Sequence, residues 1–115
     1  KTYMLQTDDG AKSLGGMSLG AGITYFSVGP IHSYLKDQGA VQYSSATDKE
    51  MLEAYKIIAQ TEGICSALEP MAAAAEVIFR QAKNKPKDYR ICLNLCGRGE
   101  KDLDTIQEHI GKDFE

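Results

Sequence analysis

Residues 90–102 (Arg-Ile-Cys-Leu-Asn-Leu-Cys-Gly-Arg-Gly-Glu-Lys-Asp) narrow the choice of fold more than any other stretch. An apolar, β-prone run stops at Cys96, passes through Gly97 and Gly99, and reopens as a charged, helix-like segment. A short run with little polar/apolar alternation reads as a strand buried on both faces, as in the parallel sheets of α/β proteins. Glycines directly after it allow a sharp turn and close backbone approach. A helix that follows points its first N–H groups over the strand end, where an anion or a polar ring can sit. Sites in open α/β sheets form beyond the carboxyl ends of strands, so chemistry is expected to centre on Cys96. On spacing alone the same loop could simply turn the chain, and Arg98 and Asp102, four apart, could be an ordinary surface pair.

The remaining sequence sets bounds on that expectation. A chain of 115 residues, 43% hydrophobic and 25% charged, is one globular domain at most and large enough for a core. A net charge of −3, with Lys and Arg spread along the chain, argues against nucleic acid or an anionic membrane as partner. Apolar runs fall short of the roughly 20 residues a membrane helix needs, and no signal-peptide pattern opens the sequence, so a cytoplasmic protein is expected. Cys65, Cys92 and Cys96 are odd in number and lack metal-ligand spacing, which fits reduced thiols.

Taken in order, residues 1–6 are β-prone, Asp8-Asp9-Gly10 signals a turn, and a short return strand is expected over 11–18, weakened by Gly15-Gly16. Gly20, Gly22 and Gly29 make 18–30 a loop or irregular strand, on a bare reading an ordinary surface loop. Residues 31–38 form a short helix ending at Gly39, and 41–45 a short strand. A lone helical histidine is more often a packed or capping group than a catalyst, so His32 is left out of the chemistry. Thr47-Asp48-Lys49-Glu50 has capping-box spacing, and Met51, Leu52, Tyr55, Ile58 and Ala59 give one apolar stripe on a helix running to about Thr61 and stopping near Gly63. Glu62, at that helix end, reads first as a solvated side chain, although a carboxylate there has the wrong sign for the helix dipole. A second helix spans 66–83, with Pro70 near its start and an alanine run that allows close approach of the helix to a sheet. A polar turn at 84–88 feeds a strand at 89–95, and a last helix, 101–110, places Leu103, Ile106 and Ile110 on one side.

Leu-Cys-Gly-Arg-Gly-Glu-Lys-Asp (95–102) resembles the C-terminal phrase of the tryptophan synthase beta subunit, whose Ser-Gly-Arg-Gly-Asp-Lys-Asp has serine at the position of Cys96. Ser27-Val28-Gly29-Pro30 with His32-Ser33-Tyr34-Leu35, and Thr61-Glu62-Gly63-Ile64 with Ala67-Leu68-Glu69, agree in order and spacing, so the resemblance runs from Lys1 to about Ile110. It implies an α/β fold: residues 1–115 would be the C-terminal part of a three-layer αβα domain of the fold-type-II pyridoxal-phosphate (PLP) enzymes, incomplete because its upstream part is absent. The implied activity is that of a lyase condensing L-serine with indole to L-tryptophan, with an alpha subunit as partner, a homodimer, and no nucleic acid or membrane contact.

The resemblance also implies roles for particular residues. Gly22 lies against the cofactor ring, and the backbone carbonyls of Ile23, Tyr25 and Ser27 help hold a monovalent cation, Na+ or K+. Glu62 stands beside the cofactor's phenolic oxygen and the reacting carbons. Cys96, with Gly97 after it, faces the pyridine nitrogen, where a thiol is a weaker donor than a hydroxyl but equally neutral. Thr24 departs from the pattern: the family has an Asp there that helps read the serine hydroxyl, which leaves the identity of the donor open. The Schiff-base lysine and the phosphate-binding loop lie upstream of Lys1, so this piece alone is expected to be inactive. Two other readings stay open: a different β-replacing PLP enzyme of the same fold, and a stand-alone α/β module whose 97–99 loop takes an anion.

Overall fold

The computed structural model describes residues 1–10 and 15–110, which divide into two compact units, Lys1–Ser44 and Ser45–Glu115.

In the second unit, helix α2 (Asp48–Glu62) starts where the sequence places its cap. The Thr47 hydroxyl accepts the Glu50 N–H at 3.3 Å, and the Glu50 carboxylate accepts the Thr47 N–H at 2.8 Å. Those bonds from Thr47, followed by the charge of Arg80, hold the Glu50 carboxyl below its usual value. Gly63 closes the helix at φ +66°, its N–H donating to the Ala59 carbonyl at 3.1 Å. Helix α3 (Glu69–Glu76) has Pro70 in its first turn, where the missing N–H costs nothing. It continues as a wide π turn (Val77–Gln81) and a 3-10 turn (Ala82–Asn84). The expected single helix over 66–83 therefore begins three residues late, because Ser66, Ala67 and Leu68 are a buried connector. The last element opens with a 3-10 turn, Gly99–Asp102, and becomes α4 (Leu103–Ile110).

The core lies where α2 packs on α3 and α4 closes against α2. Met51, Ala54, Tyr55 and Ile58 meet Ala67, Leu68, Met71, Ala74 and Ala75, with Ile106 and Ile110 completing it. The alanines let helices approach closely; they pack on a helix here, where the sequence suggested a sheet. On α4 the buried stripe is Asp102, Ile106 and Ile110, at four-residue spacing, so Leu103 is left half exposed, against expectation.

In the first unit, Tyr3–Leu5 lies antiparallel to Phe26–Val28: Leu5 N–H donates to Phe26 O at 2.7 Å, Val28 N–H to Tyr3 O at 3.1 Å, and Met4 pairs with Ser27. Of the return strand expected at 11–18, residues 11–14 lie outside the described residues; within the rest, Gly16 abuts the Thr24 carbonyl. Helix α1 (Pro30–Asp37) forms as expected and turns off at Gly39, φ +65°. It is tied to the N-terminus by the buried Ser33 hydroxyl, which accepts the Tyr3 N–H at 3.2 Å and donates to Gly29 O at 3.1 Å. Asp37, bonded by the Tyr3 hydroxyl and Lys1, is held below the usual carboxylate range.

Among the described residues no strand forms, so the three-layer α/β arrangement is not present in them. Residues 1–6, 41–45 and 89–95 have the composition of strands, but a ladder needs a second backbone along its whole length. Residues 89–95 form no regular element, are mostly exposed where the sequence suggested a strand buried on both faces, and find no such neighbour among the described residues.

Packing and capping should separate cleanly in mutants. Thr47→Ala is expected to cost about 1 kcal/mol, and Met71→Ala, at a wholly buried site, about 2–5 kcal/mol. Urea unfolding midpoints measure both; equal losses would contradict this assignment of the core.

Candidate functional site

Two loops of the second unit carry the residues singled out by the sequence. The first follows α2. Gly63 turns the chain out of the helix, Glu62 stays exposed, and the backbone passes through exposed Ile64 and Cys65 before going under at Ser66. The second follows residues 89–95: Cys96 is exposed, and Gly97 takes φ +71°, a conformation that glycine adopts without strain.

The loops are laid backbone to backbone. A Cβ on Gly99 would stand 2.6 Å from the Cys65 carbonyl oxygen and 3.0 Å from that of Ser66; one on Gly97 would stand 3.0 Å from the Ala67 Cβ. Both glycines of the phrase are therefore demanded by contact with the segment after Glu62. Behind them lies Asp102, only 7% exposed. Its carboxylate accepts the Leu68 N–H at 2.8 Å. The Lys101 ammonium donates to Asp102 at 2.8 Å and to Glu69 at 2.8 and 2.9 Å, and these two carboxylates raise its pKa. Asp102 thus closes the start of α3 from a distant part of the chain, and the surface pair with Arg98 suggested by spacing gives way to these bonds.

Tyr55 lies beneath, 4% exposed. Burial, a hydrogen bond with Cys65, and the charges of Cys65 and Asp102 push its phenol up to about 12. Sequence reasoning counted Tyr55 only as part of an apolar stripe and Asp102 only as a surface charge. A polar tip on an apolar stripe was the available signal for the first; a buried Asp accepting a backbone N–H 34 residues away leaves none.

The other candidates belong to the first unit. Gly22 and Ile23 sit in a 3-10 turn, Ala21–Ile23, with the Ile23 N–H donating to Gly20 O at 3.1 Å. The Thr24 hydroxyl donates to Ala21 O at 2.8 Å. Tyr25 is 76% exposed, and Ser27 is the residue paired with Met4. That pairing is the non-hydrogen-bonded kind, so the carbonyl of Ser27 points away from Tyr3–Leu5. The expected helical His32 meets the Tyr43 hydroxyl at 3.1 Å through Nδ1. Among the described residues no cluster of His, Cys, Asp and Glu could hold a metal ion, and no helix is long and apolar enough to cross a membrane.

No family model matches the chain. Curated relatives do. It is 46% identical over 114 residues to the tryptophan synthase beta chain of Dinoroseobacter shibae, covering 99% of this chain and 27% of that one. The same protein of Ruegeria sp. (strain TM1040) is 48% identical with the same coverage, and that of Allorhizobium ampelinum is 48% identical over 96% of this chain and 27% of its own. The chain thus spans about a quarter of the length of the relatives it matches.

Two outcomes test this geometry. Gly99→Ala must push two backbones apart and is expected to cost roughly 1–3 kcal/mol in urea unfolding, a loss that a small surface turn would not show. The Tyr55 phenol, raised from 10.0 to about 12, contributes stability that is complete below pH 10 and fades as pH climbs toward 12. Tyr55→Phe should flatten the fall in stability across that interval, measured by denaturant titration at stepped pH; an unchanged slope would contradict the buried, neutral phenol.

Proposed function

The chain belongs to the tryptophan synthase beta chain family, and on that premise we propose that it forms one wall of the site of a PLP-dependent lyase making L-tryptophan from L-serine and indole. The observation that carries this is the seating of the 97–99 loop on residues 65–67, which joins the segment after Cys96 to the segment after Glu62.

The residues fit the edge of a pyridine ring by their chemistry. Cys96 offers an exposed thiol, Gly97 turns the chain directly behind it at φ +71°, and Glu62 leaves a carboxyl group open to solvent. PLP, when bound, draws electrons from an amino acid's carbon skeleton and so eases loss of a β-substituent. Cys96 would stand at the ring nitrogen as a weak hydrogen-bond donor where an Asp would be an acidic partner, and so weak a donor would temper that pull in favour of replacement at the β-carbon. Losing a hydroxyl consumes a proton and adding indole releases one, and the Glu62 carboxyl group would serve both transfers by giving the proton as the acid and taking it back as the carboxylate. Gly22, in the 3-10 turn of the first unit, gives flat, side-chain-free backbone of the kind a cofactor ring can lie against. The outward carbonyl of Ser27, with those of Ile23 and Tyr25, forms the oxygen set for Na+ or K+. Strands at 89–95 and 1–6 complete their ladders against upstream chain, giving the αβα domain. An alpha subunit, a second beta chain and a cytoplasmic setting complete the proposal.

Thr24 favours one variant of this reading, a β-replacing enzyme with a different donor. Its hydroxyl proton is committed to Ala21 O, so it meets a substrate hydroxyl only as an acceptor and without an Asp's charge. The stand-alone anion site is disfavoured, because Glu100, Asp102 and Asp104 crowd the start of the last helix with negative charge.

The full-length chain supplied with indole and L-serine should produce tryptophan; its absence would overturn the reading. In that protein Cys96→Ser should change turnover less than about threefold, whereas Cys96→Asp, by holding a proton on the ring, should shift product from tryptophan toward pyruvate. The tryptophan-to-pyruvate ratio by chromatography is the measurement, and an unaltered ratio in Cys96→Asp would separate Cys96 from the cofactor.

A further inference from the structure

We propose that Asp102 is a positioning residue: its buried carboxylate, steadied by Lys101, locks the 97–99 loop onto the segment after Glu62 and so sets where the Cys96 thiol stands. The inference rests on the proposed function for its consequence in catalysis, but the lock itself is read from contacts.

Asp102 has the burial of a core residue and continues the stripe of Ile106 and Ile110. An aliphatic side chain at such a position commonly stabilises as well as a buried charge or better, so packing alone does not account for a carboxylate there. What a carboxylate adds is direction. It accepts the Leu68 N–H at 2.8 Å, tying the start of α4 to the start of α3, while Lys101 spans Asp102 and Glu69. Between those fixed points the loop has no slack, since Gly99 and Gly97 are already at contact distance from Cys65, Ser66 and Ala67. Cys96 is one residue from Gly97, about 3.8 Å along the backbone, so its Cα is confined once Gly97 is seated on Ala67. Released from Asp102, a loop with two glycines regains the wide backbone freedom that the clamp removes. The same clamp acts on the other side, because Cys65 is three residues from Glu62. One carboxylate therefore holds the backbone on which both groups are mounted.

Hydrogen exchange by mass spectrometry on the full-length chain tests the lock, with Asp102→Ala and Asp102→Asn as variants. In Asp102→Ala, exchange across residues 66–69 and 97–100 should speed up by about tenfold to a hundredfold while α2 keeps its protection. Asp102→Asn, which retains an acceptor for Leu68 N–H, should restore protection at 66–69. Uniform acceleration over every helix, or none at the two loops, would overturn the lock. With serine and indole, Asp102→Ala should lower the tryptophan-to-pyruvate ratio more than it raises the KM for serine, and Asp102→Asn should recover part of that ratio; a loosened loop with an unchanged ratio would overturn the link to Cys96. Failure of the unmutated chain to make tryptophan would sink the functional reading alone, because the exchange pattern needs neither substrate nor cofactor.

Discussion

The second unit depends on one buried carboxylate meeting one backbone N–H. A charge removed from water must be compensated locally, and Asp102 is compensated by Leu68 N–H and the Lys101 ammonium. Because those partners come from two distant parts of the sequence, satisfying the charge also closes the chain. Helix α4 cannot settle its isoleucines on the core without bringing Asp102 to α3, and the glycine loop travels with it. Packing supplies the greater part of the stability, but it is non-directional. The carboxylate chooses among packed arrangements.

Burial and neighbourhood then divide the polar groups by task. Tyr55, sealed against Cys65 and near Asp102, is kept neutral and serves the interior. Glu62 and Cys96 remain at the surface, reachable by a ligand, while the backbones beside them are pinned. A rigid support under open functional atoms is what a site needs for precise chemistry on a loop. Membership of the tryptophan synthase beta chain family gives that arrangement its proposed use.

Elements that carry their own local instructions were legible in the sequence. Thr47 and Glu50 specify a helix start through bonds three residues apart, and Gly39 and Gly63 mark helix ends through a left-handed turn. The sharp turn after Cys96 and the need for glycine there were legible for the same reason. What was not legible depends on partners remote in sequence. Residues 89–95 have the composition of a strand, but composition cannot provide the neighbouring backbone. The Asp102–Leu68 bond spans 34 positions, whereas local spacing offers Asp102 only Arg98 as a surface partner. Leu103 was assigned to the buried side of its helix because apolar periodicity cannot register that an acid occupies the adjoining inward position.

The wide turn after α3 has a consequence for how the molecule tolerates change. A π turn holds one residue more than an α-helical path needs, and each helical residue rotates the following side chains by about 100°. The stripe of Met71, Ala74 and Ala75 accordingly does not extend to Ile78 and Phe79, which are only half buried, and Arg80 comes round to meet both Glu76 and Glu50. The segment works as an expansion joint, a place where the helical path takes up one extra residue between the core on one side and the polar tail on the other.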